Sequence, residues 1–511
     1  MIATKGKNLR DFTEQEIADM KIYNADDVDQ CYGLLRRLIP QTNKAEVKLI
    51  DMTIRMLVEP HFNTDVELLA NTLAEESARK QAMLIEAARQ FGVKESGMSD
   101  DESAEAALKL LSSSAKFATF LRTLGVDVPT KVSNTTGKDI PALAKTDEAF
   151  LALQEHDNPL VASAAQARLD AKSTILQTRI QAFMAASDAH PDKQVPIPLK
   201  YYGADTTGRW SGWGYNPQNL PRVNPYSPKP SDALRKSLVA PAGHKVVVAD
   251  LSGIELRVNH FLWKVPASME LYQADPEKAD LYKDFASKLY DVPIDQVTKV
   301  QRQVGKVAHL GLGFGAGHVT FQKVAKLMGG VDITEQESRE IVETWRSSYS
   351  EIVRGWKTCH ACLPTIMRGA TGASVDPWGM VTPVPEGLKT PKGLIRYPDL
   401  RTERNEDDNR MEFMYGNGRN KARIYAGKID ENIVQHLARC VIADNALTVQ
   451  QVTGLNPALM VHDELVYVVP DEEAQSVLAT VQDVMRTPPT WWPELVTWSE
   501  GDIADTYGDA K

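Results

Sequence analysis

Two short β-branched runs in an otherwise helix-rich chain of 511 residues set the strongest limit on its fold. Lys245-Val-Val-Val-Ala-Asp250 ends in a carboxylate just before a helical pattern, Gly253-Ile-Glu-Leu-Arg-Val-Asn-His-Phe-Leu-Trp263. More than 200 residues later, the stretch 457–470 reads as two strands around a polar turn that holds His462, Asp463 and Glu464. Strands so far apart in sequence must be brought together by the intervening chain, which rules out an all-helical bundle. Around them, apolar residues recur at three- and four-residue spacing. Residues 1–60 read as two charged amphipathic helices joined by 38–47, and the helical pattern persists from about 60 to 122. A Pro-, Gly- and Thr-rich loop covers 126–145, and one long helix is expected over about 159–187. Aromatic and turn residues take over near 195, residues 275–370 return to helical spacing, and 375–430 reads as loops and short strands before a helix over 430–447. The chain has no internal repeat or low-complexity tract, and the expected fold class is α+β.

Composition narrows the setting. An apolar share of 43% with 25% charged residues excludes disordered and fibrous classes. Four cysteines (Cys31, Cys359, Cys362, Cys440) cannot frame so long a chain, which fits a reducing compartment. The first residues lack an apolar signal core, and no run approaches the roughly 18 apolar residues of a membrane span. A soluble, cytoplasmic protein without membrane contact is expected. The net charge of −10 counts mildly against a polyanion ligand, although binding depends on where the charges sit.

Two constellations carry chemistry. Carboxylates at two strand ends, Asp250 and Asp463, are what a shared pair of Mg²⁺ ions would need, since rigid oxygen donors must hold the metals roughly 3.5–4 Å apart. Two ordinary turn aspartates are an equally simple reading of these residues alone. The second constellation is Arg302, Lys306, Leu310 and Phe314, spaced by four. On one helix face the two cations repel by a few tenths of a kcal/mol, which an anionic ligand such as a triphosphate would relieve. The alternative is a solvated basic face. Gly305 in mid-helix costs about 1 kcal/mol against Ala and favours a functional reason.

Here a resemblance enters. Asp250-Leu-Ser-Gly-Ile-Glu-Leu-Arg257 resembles motif A of the family A DNA polymerases, Arg302 to Gly315 resembles motif B, and Val461 to Leu465 resembles motif C. Thr207-Gly208-Arg209 with Asn216 to Pro221 is similar to the segment before motif A, and Glu431 to Gln435 is most similar to the phage branch. Together these matches span about residues 195–511.

The resemblance implies a right-hand polymerase with an antiparallel palm sheet and helical fingers and thumb. Residues 1–50 would be an exonuclease-domain remnant, 51–190 the thumb region, 191–270 and 376–511 the palm, and 271–375 the fingers. It implies template-directed addition of dNTPs to the primer 3′-OH of primer–template DNA, in phage-type replication. Two Mg²⁺ ions, for which Mn²⁺ could substitute, would be held by Asp250, Asp463 and the Leu251 carbonyl, with Glu464 in support. Arg302 and Lys306 would hold the triphosphate, Lys306 also serving as proton donor to pyrophosphate. Leu310 and Phe314 would flank the base and sugar, Glu255 would exclude a ribose hydroxyl, and Arg209, Gln435 and His462 would contact primer and template.

This sequence departs from the bacterial pattern at several positions. Leu310 replaces an aromatic residue, Gly253 a common Gln, and Phe314 a Tyr whose hydroxyl can bond the gating glutamate, which loosens the expectation of strict ribonucleotide exclusion. Tyr23 to Asp27 resembles the last exonuclease motif, but only 22 residues precede it, so no proofreading by this chain alone is expected. A separately encoded exonuclease subunit or a processivity factor is compatible with that. The alternatives are a single-subunit RNA polymerase, against which Glu255 speaks, and an inactive DNA-binding relative. Cys359-x-x-Cys362 lacks the second pair a zinc site needs. Thr135-Thr136-Gly137-Lys138 lacks the first glycine of a phosphate loop, and Trp210, Trp213 and Tyr215 suit packing as well as base stacking. Basic residues gather at Arg209, Arg302, Lys306 and over 392–428, where nine Lys/Arg meet six Asp/Glu.

Overall fold

The structure, a computed structural model, describes residues 11–133, 137–222, 232–405 and 409–510. Thr135 and Thr136 of the loop-like motif lie outside them. The chain opens with α1 (Glu14–Leu38), whose Thr13 and Glu16 form a capping box and whose Arg36 and Arg37 match the C-terminal dipole. α1 buries no residue. α2 (Lys44–Val58) buries Leu49, Met52, Thr53 and Met56, the three- and four-residue spacing of one face. α3 (Val66–Gln90), α4 (Asp100–Ser112) and α5 (Ser114–Thr123) follow, and a small hairpin pairs Thr130–Val132 with Asp139–Pro141 inside the loop-rich patch.

The single helix expected over 159–187 is in fact two, α6 (Pro159–Lys172) and α7 (Ile175–Ala189). The apolar period runs through the break, but the two halves pack into different cores. Val161, Ala164, Ala165 and Ala171 of α6 join a cluster with Leu84, Leu111, Phe117 and Phe150. Ile180 and Phe183 of α7 join the larger cluster that holds the central sheet. Ser173 and Thr174 leave helical geometry between them.

The sheet begins with β1 (His244–Leu251) and turns into α8 (Ile254–Leu262). α9 (Leu281–Tyr290), α10 (Lys299–Leu312), α11 (His318–Gly329), α12 (Glu335–Ser348) and α13 (Ser350–Met367) form a helical insertion. Two three-stranded antiparallel sheets occupy 382–424. α14 (Ala426–Thr453) leads to the hairpin β2 (Leu459–Val461) and β3 (Glu464–Pro470), then α15 (Ala474–Arg486) and β4 (Ser499–Ala504). The central sheet has the order β2-β3-β1-β4, antiparallel throughout. This is the α+β class read from the sequence. Val246, Val247, Val248 and Ala249 are buried because β1 is central and covered on both faces. Among the described residues, no helix is long and apolar enough to cross a membrane.

Candidate active site at the end of the central sheet

The register of β1 and β3 joins the two carboxylates. Glu464 lies opposite Asp250, and the two-residue turn His462-Asp463 caps the hairpin, with His462 at φ 54°. The Leu251 amide donates to the Asp463 carbonyl at 3.0 Å, so the turn is stitched to the end of β1. Gln218, buried, donates from its side chain to the Met460 carbonyl at 3.1 Å, which ties the Asn216–Pro221 segment to the same hairpin. Beyond Asp250 the chain must turn from strand to helix within three residues. Gly253 does this at φ 59°, in the left-handed region that glycine enters at little cost, which accounts for glycine at this place.

Sequence reasoning gave Arg257 no role, yet it braces this elbow. It is buried, lies 4.1 Å from the Tyr272 ring centroid, and donates to the carbonyls of Ser252 at 2.8 Å and Pro276 at 2.7 Å. Its place one helical turn beyond Gly253 was the available signal. Glu464 is buried too, and accepts from the Tyr507 hydroxyl at 2.5 Å. It braces the strand end rather than facing an open site.

Asp250 and Asp463 are each half-buried. Among the described residues no group of three or more His, Cys, Asp or Glu side chains is assembled as a self-sufficient metal site. The two half-buried carboxylates suit Mg²⁺, a hard ion that takes one or two carboxylates and completes its shell with water and substrate phosphate. The donor chemistry at the sheet end therefore fits the expected ion. At Cys359 and Cys362 the surroundings do not suit zinc. Both are buried in α13, and burial pushes the Cys362 thiol up to about 12, whereas zinc takes thiolate.

α10 presents Arg302, Lys306 and Leu310 on its open face, with Val304, Val307, Ala308 and Leu312 buried behind. Phe314 follows just past the helix end and is half-buried. Arg302 Nε donates to Asp280 Oδ2 at 2.6 Å, and Asp280 Oδ1 caps the start of α9. A cavity of about 220 Å³, lined by Ser252, Arg257, Asp280, Arg302 and Glu500 among others, opens between the β1–α8 elbow and α9–α10. Gly305 has a packing reason, contrary to the functional one expected. A Cβ there would lie 2.1 Å from the Tyr282 carbonyl oxygen, so glycine lets α10 press against α9. His309 completes that contact with Nε2 3.2 Å from the Leu281 carbonyl, and burial lowers its pKa to about 3, leaving it neutral.

Arg209 forms an ion pair with Glu255, which sits in the first turn of α8 where the helix dipole favours a carboxylate. Burial lowers the Arg209 pKa, and the charges of Asp463 and Glu431 oppose that shift. Gln435 donates to Glu431 at 3.2 Å on the same α14 face, beside Lys428. Arg209, Glu255, Glu431 and Asp463 are thus neighbours, while His462 is exposed at the hairpin tip. Trp210 and Tyr215 are buried and pack; Trp213 is exposed. The basic stretch over 392–428 is less free than its charge count suggests. Lys392 pairs with Asp444, Arg401 and Lys421 with Glu403, and Arg423 with Glu412.

The model of "DNA polymerase family A" matches residues 83–361, more than half of the chain. The chain belongs to that family. It is 26% identical over 372 residues to a DNA polymerase of Bacillus phage SP02, covering 66% of this chain and 56% of the relative. It is 26% identical over 291 residues to the thermostable DNA polymerase I of Thermus aquaticus, covering 55% of this chain and 29% of that protein. The chain therefore spans about half the length of the phage relative and less than a third of the bacterial one. In fold it is similar to the POL domain of Pol1 from M. smegmatis, solved in complex with DNA primer-template and dNTP. The TM-score is 0.61 at 18% identity, over 88% of this chain and 68% of that one.

Proposed function

We propose that this chain is a DNA-directed DNA polymerase that adds dNTPs to a primer 3′-OH under template direction and releases pyrophosphate. The observation that carries this reading is the strand register that sets the Asp463 turn against the end of β1, beside Asp250. Family membership and the related POL domain solved with primer-template and dNTP support it.

In this reading Asp250, Asp463 and the Leu251 carbonyl hold two Mg²⁺ ions. Bound there, the metals would supply charge neutralisation at the attacking and leaving oxygens of phosphoryl transfer. Arg302 and Lys306 bind the triphosphate, and Lys306, exposed on α10, gives a proton to the departing pyrophosphate. Asp280 holds Arg302 by Nε, so phosphate would be met through the two terminal nitrogens. Leu310 and Phe314 seat the base and sugar, Glu255 excludes a 2′-hydroxyl, and Arg209, Gln435 and His462 follow the primer–template duplex. Glu464 keeps the strand end in register. We assign the thumb to 51–190, the palm to 191–270 and 376–511, and the fingers to 271–375. Phage-type replication and absence of proofreading by this chain belong to the same proposal.

Primer extension with Mg²⁺ tests it. Asp250→Ala and Asp463→Ala should each lower extension at least about a thousandfold while DNA binding persists. Extension by either variant within about a hundredfold of the wild-type rate would overturn the metal assignment, and preference for NTPs over dNTPs would overturn the substrate.

A further inference from the structure

Arg439 is a buried charge near the site, 3% exposed, and no step above uses it. Each of its three nitrogens donates a hydrogen bond. Nη1 and Nη2 donate to Glu46 Oε1 at 3.1 Å and Oε2 at 2.9 Å, and Nε donates to the Gly208 carbonyl at 3.1 Å. Glu46 comes from the first turn of α2 and also accepts from the Tyr201 hydroxyl. The Trp210 ring centroid lies 4.9 Å from the guanidinium, and Trp210 donates to Thr53 of α2 at 2.8 Å. One turn earlier on α14, His436 Nδ1 lies 3.0 Å from the Thr207 carbonyl; a carbonyl only accepts, so Nδ1 carries the proton. Two consecutive carbonyls are thus held by one face of α14, immediately before Arg209 and its Glu255 partner. Gly208 sits at φ 74°, and a Cβ there would lie 2.5 Å from the Tyr202 ring, so the turn has little room to shift.

A buried ion pair is rarely the most stable filling for such a space, since apolar side chains of similar volume often do as well. What the pair adds is direction. We infer that Arg439, locked by Glu46, is a positioning residue: it fixes the Gly208 carbonyl, aims Arg209 at Glu255, and so sets how the incoming sugar is seated. This rests on the polymerase reading above.

The test is single-nucleotide insertion by the full chain, with kcat and KM measured for one dNTP and its rNTP. Glu46→Leu/Arg439→Met removes both charges together and keeps the volume; Glu46→Gln is the milder variant should the double one not fold. The expected result is a dNTP KM raised about tenfold, kcat changed less, and a dNTP-to-rNTP preference lowered about tenfold, all within the coupling range of residues sharing one network. In an Arg209→Ala background the same substitutions should add almost nothing. An unchanged sugar preference, or effects that multiply independently with Arg209→Ala, would overturn the positioning role alone. Absence of dNTP insertion by the wild-type chain would instead overturn the polymerase reading.

Discussion

Between the regions proposed above as palm and fingers, Trp356 of α13 is buried and its indole donates to Asp430 of α14 at 3.1 Å, while Trp263 at the end of α8 donates to the other carboxylate oxygen at 2.8 Å. Gly427 brings the start of α14 so close that a Cβ would lie 1.8 Å from the Phe314 carbonyl oxygen. Between the proposed fingers and thumb, Lys323 pairs with Glu148 at 2.5 Å and Lys326 with Glu155 at 3.6 Å, with all four side chains exposed. Residues of the central sheet and the helical insertion share one apolar cluster with both ends of the 51–190 region, whereas its middle, from Leu84 to Ala171, has a cluster of its own. The first seam is dry, close-packed and costly to disturb; the second is wet, and its ion pairs exchange readily with phosphate and salt. The cleft should therefore open at the thumb before the fingers leave the palm.

Phe117→Ala should break this contrast most strongly. Phe117 is fully buried at the centre of the thumb cluster, and its truncation should cost about 3–5 kcal/mol. Calorimetry should show the loss as an earlier, separate thumb transition, with weakened DNA binding and the palm transition little moved. A single shared shift would mean that the two cores melt together.

Asp430 probes the other seam. Burial raises its pKa to about 7, against two indole donors that lower it. A carboxyl with a raised folded pKa holds its proton in the folded state after the unfolded chain has released it. The destabilisation from this group is therefore absent below about pH 4, grows between about pH 4 and 7, and is complete above that, reaching a few kcal/mol at most. Asp430→Asn removes that slope, so its thermal midpoint relative to wild type should improve from pH 5 to pH 8. An equal difference at both pH values would contradict the burial account.

Gly427→Ala should cost about 1–3 kcal/mol by overpacking and lower the common palm–fingers transition. Lys323→Ala, at the wet seam, should cost about 0.2–1 kcal/mol at low salt and nothing detectable at high salt.

What could be read from the sequence was local. The run before Asp250 and the hairpin around Asp463 declare themselves through β-branched residues and a polar turn, and both strands stand where expected. The Arg302, Lys306, Leu310 stripe follows from helical spacing alone and is the open face of α10. Long-range features stayed hidden. Glu46 and Arg439 are 393 residues apart, and no periodicity links them. Gly305 reads as functional in the sequence because the carbonyl it faces belongs to a different helix, and no pattern marks Arg257, whose partners are backbone carbonyls. The break at Ser173-Thr174 was missed for a related reason: the apolar period is continuous, and only the division between two cores interrupts it.

That break has a mechanical consequence. Two members of unlike stiffness run between the two cores, and so between the proposed thumb and palm. α3 is unbroken over 25 residues, about 37 Å, with Leu69 seated in one core and Leu84, Ala87 and Ala88 in the other. Beside it, the α6–α7 member is cut at Ser173-Thr174. A strut next to a joint acts as a flexure: it permits bending toward and away from the joint, resists twist, and returns the thumb to one resting angle. Closing over a duplex would then load α3 like a leaf spring, and release would need no separate trigger.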